Sequence, residues 1–180
     1  KLTLIREALG CPLLLENPSV FAPFPDSRLT EPQFFNRLYE EAGCGLLLDL
    51  HNLYVSWKNG GLLVEDYLTQ LNTDCVHEIH VAGGDELAGF YTDSHSGLTP
   101  EPVWAVASEF VPGFKHLRAI TYEFHESYFD SIGLNAIIAE LERIRRLADR
   151  VKTNTFVENA SSNPSALPLK LPGSQALFRN

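Results

Sequence analysis

Four short apolar runs in this chain each end on a side chain that can hold a metal. The runs are Pro12-Leu13-Leu14-Leu15-Glu16, Gly45-Leu46-Leu47-Leu48-Asp49, Val76-His77-Glu78-Ile79-His80 and Ala119-Ile120-Thr121-Tyr122-Glu123. Their last residues stand 33, 31 and 43 positions apart, which is the length of a strand plus a crossover helix. Runs of this composition, separated by helical patterns, read as parallel strands buried on both faces. Polar groups at the same end of successive parallel strands converge where an α/β barrel places its active site. The pattern therefore predicts a metal-dependent enzyme.

The helices between the strands are legible. Leu2–Leu9 reads as a helix stopped at Gly10, and Thr30-Glu31-Pro32-Gln33 has the form of a capping box with Pro in the first turn. Phe34, Phe35, Leu38 and Tyr39 follow at helical spacing before Gly43. The strand Gly45–Leu50 is expected to lead to a polar turn at Lys58-Asn59-Gly60-Gly61 and a helix over 64–71. Val76–Val81 reads as the next strand, Val103–Phe110 as a helix and Ala119–Phe124 as the fourth strand. Leu134, Ile137, Ile138, Leu141, Ile144 and Leu147 form one apolar stripe on a last helix.

From about Val151 the helical period fades, so residues 151–180 are expected to be an irregular C-terminal tail or docking arm and residues 1–150 a barrel domain that carries the metal site. Four β/α units make about half of a TIM-barrel-like (β/α)8 fold, which takes about 250 residues when closed. The chain opens on Lys1 directly into a helical pattern and has no Met, so further residues are expected upstream.

The formal charge of −9 argues against nucleic acid as a partner, because backbone binding needs clustered Lys and Arg. It suits a carboxylate-lined site neutralised by cations. No apolar stretch approaches the roughly 20 residues of a membrane helix, and no signal-peptide pattern opens the chain. The three cysteines, Cys11, Cys44 and Cys75, lie at or just before strand starts and read as reduced thiols in the core. A cytoplasmic protein is expected.

Strand alternation sets which side chains share a face. If Asp49 faces inward, so does His51, and Glu123 and His125 stand in the same relation. Asp93 and His95 do too if their loop is extended. Carboxylate and imidazole together suit Fe, Mn or Zn. Glu78 shares the inward face of His80 one layer deeper, as a partner that could orient the imidazole. His77 and His116 read as structural, and Tyr122 and Phe124 as core. Asn17 and Asn52 sit just beyond strand ends, where an amide oxygen can ligate a metal or hold a turn.

Leu15-Glu16-Asn17-Pro18-Ser19, Gly43-Cys44-Gly45-Leu46-Leu47-Leu48-Asp49-Leu50-His51-Asn52, Glu78-Ile79-His80-Val81-Ala82-Gly83 and Asp93-Ser94-His95 occur in this order. Together they resemble the multinuclear non-heme iron-dependent oxidative enzymes (domain of unknown function 692), the family of the iron enzyme of methanobactin biosynthesis. The likeness runs from about Leu13 to Leu147.

The resemblance implies a TIM-like barrel holding two or three irons at its C-terminal mouth. It also implies oxidation of residues, often cysteines, in a ribosomally made precursor peptide that a partner protein presents. By position, Glu16 looks like a metal-bridging carboxylate, and Asp49 and His80 look like shared ligands, with Asn52 beside them. Asp93 and His95 look like the pair from the loop after the third strand, and Glu123 like the carboxylate of the fourth.

His51, Glu78, His125 and Asn17 remain additional or orienting candidates. The family usually has Asn at the position of His51, and it takes further histidine ligands from strands before the Glu-Asn-Pro motif. The alternatives are a Mn- or Zn-dependent isomerase or hydrolase of the xylose-isomerase-like barrels, or a non-catalytic fragment with an incomplete metal site.

Overall fold

In the computed structural model, residues 1–22 and 25–160 are described, with side chains through Lys152. Helix α1 (Leu2–Leu9) ends at Gly10, which adopts the left-handed φ of 63° that terminates a helix without a Cβ penalty. Strand β1 (Leu14–Glu16) and helix α2 (Glu31–Ala42) follow. The capping box of α2 forms as its sequence predicts: Gln33 N–H donates to Thr30 Oγ1 and Thr30 N–H to Gln33 Oε1.

Strand β2 (Gly45–Asp49) runs straight into helix α3 (Leu50–Gly60), and helix α4 (Val64–Gln70) comes next. Strand β3 (Val76–Ala82) is followed by a two-stranded antiparallel hairpin, β4 (Glu86–Leu87) and β5 (Phe90–Tyr91). Helix α5 (Glu101–Phe110), strand β6 (Ala119–Glu123), the short α6 (Phe129–Ile132) and the long α7 (Leu134–Ala160) complete the described chain.

The main sheet has the order β1-β2-β3-β6, and every pair in it is parallel. This is an α/β fold with a parallel sheet and connecting helices, compatible with part of a TIM-like barrel. All four expected strands form, and they lie side by side in chain order.

One face of the sheet is sealed: Leu46, Leu48, Ile79 and Val81 are at most 1% exposed. They join a core with Leu53 and Val55 of α3, Val64 and Leu68 of α4, and Val103 and Val106 of α5. Burial of each such side chain stabilises the fold by about 1.5–3 kcal/mol. Leu47, Glu78 and Thr121 on the other face are only half-buried, so this face is where polar groups gather.

The structure corrects three expectations. The second strand stops at Asp49, not Leu50, and a helix occupies 50–60 where only a polar turn was expected at 58–61. The Asp49 side chain accepts the amide of Asn52 and so starts that helix at once. Cys44 and Cys75 are buried, but Cys11 is exposed after α1. Helix α7 continues through Ala160, past the point near Val151 where its periodicity fades. The rest of the expected tail, residues 161–180, lies outside the described residues. Among the described residues, no helix is long and apolar enough to cross a membrane.

Candidate metal centre

The C-terminal ends of the four parallel strands bring Glu16, Asp49, His80 and Glu123 together. One ligand-capable atom from each lies within 4.8 Å of all the others. Register produces this: Asp49 pairs with His80 across β2 and β3, and Ala82 pairs with Glu123 across β3 and β6. Glu16 pairs with Leu47, two residues before Asp49, and His80 with Thr121, two before Glu123, so the parallel strands keep the four residues on one face and bring their side chains to one point.

His80 is the hub. Its Nδ1 lies 3.2 Å from Glu123 Oε2 and 3.9 Å from Glu16 Oε1. Its Nε2 lies 3.2 Å from Glu78 Oε1, which also accepts the Thr121 hydroxyl at 3.1 Å. With Nε2–H donating to Glu78, the Nδ1 lone pair is left to face the carboxylates, the arrangement that a metal-binding imidazole requires.

Asp49 divides its two oxygens. Oδ1 accepts the Asn52 amide at 2.8 Å, while Oδ2 is buried and has no hydrogen-bond partner. The Asn52 Oδ1 and His80 Nδ1 atoms are likewise buried without hydrogen bonds. Asn17 locks this corner: its Oδ1 accepts the Asp49 backbone N–H at 2.7 Å and its Nδ2 donates to the Asp49 carbonyl at 3.0 Å. Asn52 Nδ2 in turn donates to the Asn17 carbonyl at 3.0 Å.

Burial, reinforced by the charges of Asp93, Glu16 and Glu123, pushes the Asp49 carboxyl up to about 8, against the pull of the Asn52 amide. Burial also raises Glu16, with Glu123 and Asp93 adding to it and His80 opposing. A carboxylate cluster this crowded lacks positive charge. The buried Asp49 Oδ2 and His80 Nδ1, without hydrogen bonds and beside the carboxylates of Glu16 and Glu123, fit a divalent cation.

The loop after β3 delivers a second group. Asp93 Oδ1 lies 2.9 Å from His51 Nδ1 and 3.0 Å from His95 Nε2, and that same Nε2 is 3.8 Å from Glu123 Oε2. Burial acts to raise Asp93, but the hydrogen bonds from His51 and His95 outweigh it and hold the carboxyl well below the usual range. The Asp93 hydrogen bond raises His95 against burial, with the charges of Asp93, Glu123 and Asp49 assisting.

His95 adopts a left-handed φ of 52°, a conformation that costs free energy for a residue with a Cβ. The surrounding backbone holds it there: its carbonyl accepts His125 N–H, and Ser96 N–H donates to Gly83. The loop passes so close to β3 that a Cβ on Gly84 would collide with the Thr92 carbonyl oxygen.

A sequence model of RiPP precursor modification enzymes, MbnB/TglH/ChrH, matches residues 1–149. The chain belongs to this family. Relatives include UPF0276 proteins of Paraburkholderia phytofirmans, 41% identical over 112 residues that make 59% of this chain and 36% of the relative, and of Psychromonas ingrahamii, 40% identical over 105 residues, 56% and 37%. The UPF0276 protein of Caulobacter vibrioides is 34% identical over 144 residues, 80% of this chain and 50% of the relative. The chain thus spans about a third to a half of the length of the curated relatives it matches.

Within this family member, the predicted residues Glu16, Asp49, His80 and Glu123 share one point, with Asn52, Asp93 and His95 around it. Three further candidates take other places. His51 is not on a strand, because the chain turns helical at Leu50. It is fully buried and reaches Asp93 from α3. Asn17 spends both ends of its amide on the Asp49 backbone.

His125 is set apart: exposed beyond β6, it places Nδ1 2.7 Å from Ser127 Oγ and caps a 3₁₀ turn. Sequence reasoning passed over Thr121 and Tyr91. Thr121 was findable, since it precedes Glu123 by two on the inward face. Tyr91, whose hydroxyl accepts Gly84 N–H at 3.1 Å and stands 3.5 Å from His51 Nε2, carried no signal.

Proposed function

We propose that this chain carries part of the metal-binding mouth of a TIM-like barrel in an iron-dependent enzyme that oxidatively modifies a ribosomally made precursor peptide, with cysteines as the residues modified. The observation that supports this reading best is the meeting of Glu16, Asp49, His80 and Glu123 at the ends of four parallel strands, with buried Asp49 Oδ2 and His80 Nδ1 lacking hydrogen bonds. Family membership supplies the peptide substrate class.

Glu16, Asp49, His80 and Glu123 would hold the metal, with Asn52, Asp93 and His95 as further donors. When bound, iron would supply one-electron redox chemistry toward dioxygen and a substrate thiolate. The chain's own residues set the conditions for it. Glu78 keeps a proton on His80 Nε2 and so a lone pair on Nδ1. Asn17 fixes the backbone at Asp49, and His51 orients Asp93.

The mixed carboxylate–imidazole set suits iron better than magnesium or calcium. Ligands that the resemblance implies upstream of Glu16 would complete the shell, and a partner protein would present the peptide.

Elemental analysis of anaerobically purified protein tests the reading. Iron is expected in this chain, and more of it in a form extended upstream. Glu16→Gln and His80→Ala are expected to lose metal while circular dichroism stays unchanged. Unaltered metal content in both variants would overturn the site. Stoichiometric zinc or manganese without iron would replace the oxidase with a hydrolase or isomerase.

A further inference from the structure

The cleft between α5 and α7 is basic in an otherwise acidic chain. It encloses about 270 Å³ and is lined by Trp104, Ser108, Arg143, Arg146, Leu147 and Arg150. The four α7 residues follow the i, i+3, i+4, i+7 spacing of a single helix face. Residues 143–152 hold five of the chain's 14 Lys and Arg residues, although the chain carries a net charge of −9. The cleft shares no residue with the metal centre.

Arg143 is fixed from two sides. It makes a forked pair with Glu101, Nη2 to Oε2 at 2.8 Å, and its guanidinium carbon lies 4.5 Å from the centre of the Trp104 ring. Its two neighbours along the cleft are not so committed. Arg146 reaches Glu142 only at 4.0 Å, with both side chains about two-thirds exposed, a geometry that contributes little. Arg150 has no ion pair among the described residues. Trp104, only 3% exposed, keeps a buried Nε1–H without a hydrogen-bond partner.

Arg146 and Arg150, without a close ion pair among the described residues, thus follow Arg143 along one helix face, and the forked pair of Arg143 with Glu101 already shows how a carboxylate is held here. From Arg143 to Arg150 the helix rises about 10 Å, longer than one small oxyanion and matched to successive side chains of an extended acidic peptide. We propose that this cleft docks an acidic segment of a polypeptide partner, whose carboxylates pair with Arg146 and Arg150 beside the Arg143–Glu101 fork.

The test titrates a fluorescently labelled ten-residue polyglutamate peptide into the full 180-residue chain at low salt, read by anisotropy. The double variant Arg146→Glu/Arg150→Glu is expected to weaken binding by at least about tenfold. Arg145→Glu, which does not line the cleft, is expected to leave it within about twofold, and circular dichroism confirms that each variant folds. Quenching or shift of Trp104 fluorescence on binding, absent in Trp104→Phe, would place the peptide in the cleft.

No binding by the native chain would overturn the proposal. So would equal weakening by Arg145→Glu, which would mean diffuse attraction. Full displacement of the peptide by equimolar inorganic phosphate would reassign the cleft to a small oxyanion. None of these outcomes depends on metal content, so failure here leaves the metal reading standing.

Discussion

Asn17 and Asp49 are joined by two reciprocal hydrogen bonds, side-chain amide to backbone in both directions, at 2.7 and 3.0 Å. The link ties the end of β1 to the end of β2 at the point where both strands present a carboxylate. Both bonds are buried, so removing the amide takes the side-chain acceptor from the Asp49 N–H and one donor from the Asp49 carbonyl, which also serves α3 as its N-cap.

Asn17→Ala is therefore expected to cost about 2–4 kcal/mol, read as a lower urea midpoint with an unchanged slope. Asn17→Asp is expected to fare no better. It keeps an acceptor for the Asp49 N–H but places another negative charge against the Asp49 carbonyl. A midpoint within error of the native chain for Asn17→Ala would show that the link is dispensable.

Glu78 meets the four-residue cluster at His80 Nε2, 3.2 Å away, where its carboxylate is placed to hold the imidazole proton on that nitrogen. Glu78→Ala is expected to lower metal affinity about 10–100-fold, measured by competition with a chromogenic chelator. Glu78→Gln is expected to retain part of it, because the amide oxygen can still accept from Nε2–H. Equal affinity in Glu78→Ala and the native chain would remove Glu78 from the site.

The strands and the site they end in were legible because both rest on local patterns. Each apolar run is a parallel strand, mostly buried in β2 and β3 but only partly so in β1 and β6, where burial on both faces was expected. Each terminal ligand sits where parallel register carries it. What escaped the sequence depended on contacts across distance.

Leu50 to Gly60 reads as strand then turn because Leu50, Leu53 and Val55 are apolar at mixed spacing. The Asp49 cap, seen only in three dimensions, commits them to helix. Ala88-Gly89 lacks the Asn-Gly or Asp-Gly signal of a tight hairpin, yet both residues take positive φ and join β4 to β5. Without that hairpin, neither Tyr91 nor its approach to His51 could be foreseen.

His51 follows from the same lesson. Its fully buried ring fills space under the hairpin and holds Asp93 Oδ1 at 2.9 Å. His51→Ala is expected to destabilise the metal-free chain by about 2–4 kcal/mol, through the cavity and the lost bond to a charged group. His51→Asn is expected to cost less, since its amide can still donate to Asp93. Thermal midpoints of the two variants measure this, and identical losses would mean that the ring contributes packing alone.

Away from the metal centre, Glu31 opens α2 and accepts the Tyr67 hydroxyl at 2.8 Å. Burial raises the Glu31 carboxyl above its ordinary value, and the Tyr67 bond offsets only part of the rise. The folded state therefore holds this proton more tightly than the unfolded chain does.

The sign follows from linkage. The contribution of Glu31 to stability is fully present below the unfolded carboxyl value and is lost as pH rises through the higher folded one. Glu31→Gln keeps an oxygen for Tyr67 but has no proton to lose. Its thermal midpoint relative to the native chain is expected to improve between pH 4 and pH 7. A difference that stays constant, or moves the other way, would show that the ionised carboxylate at the start of α2 is as well accommodated as the neutral acid.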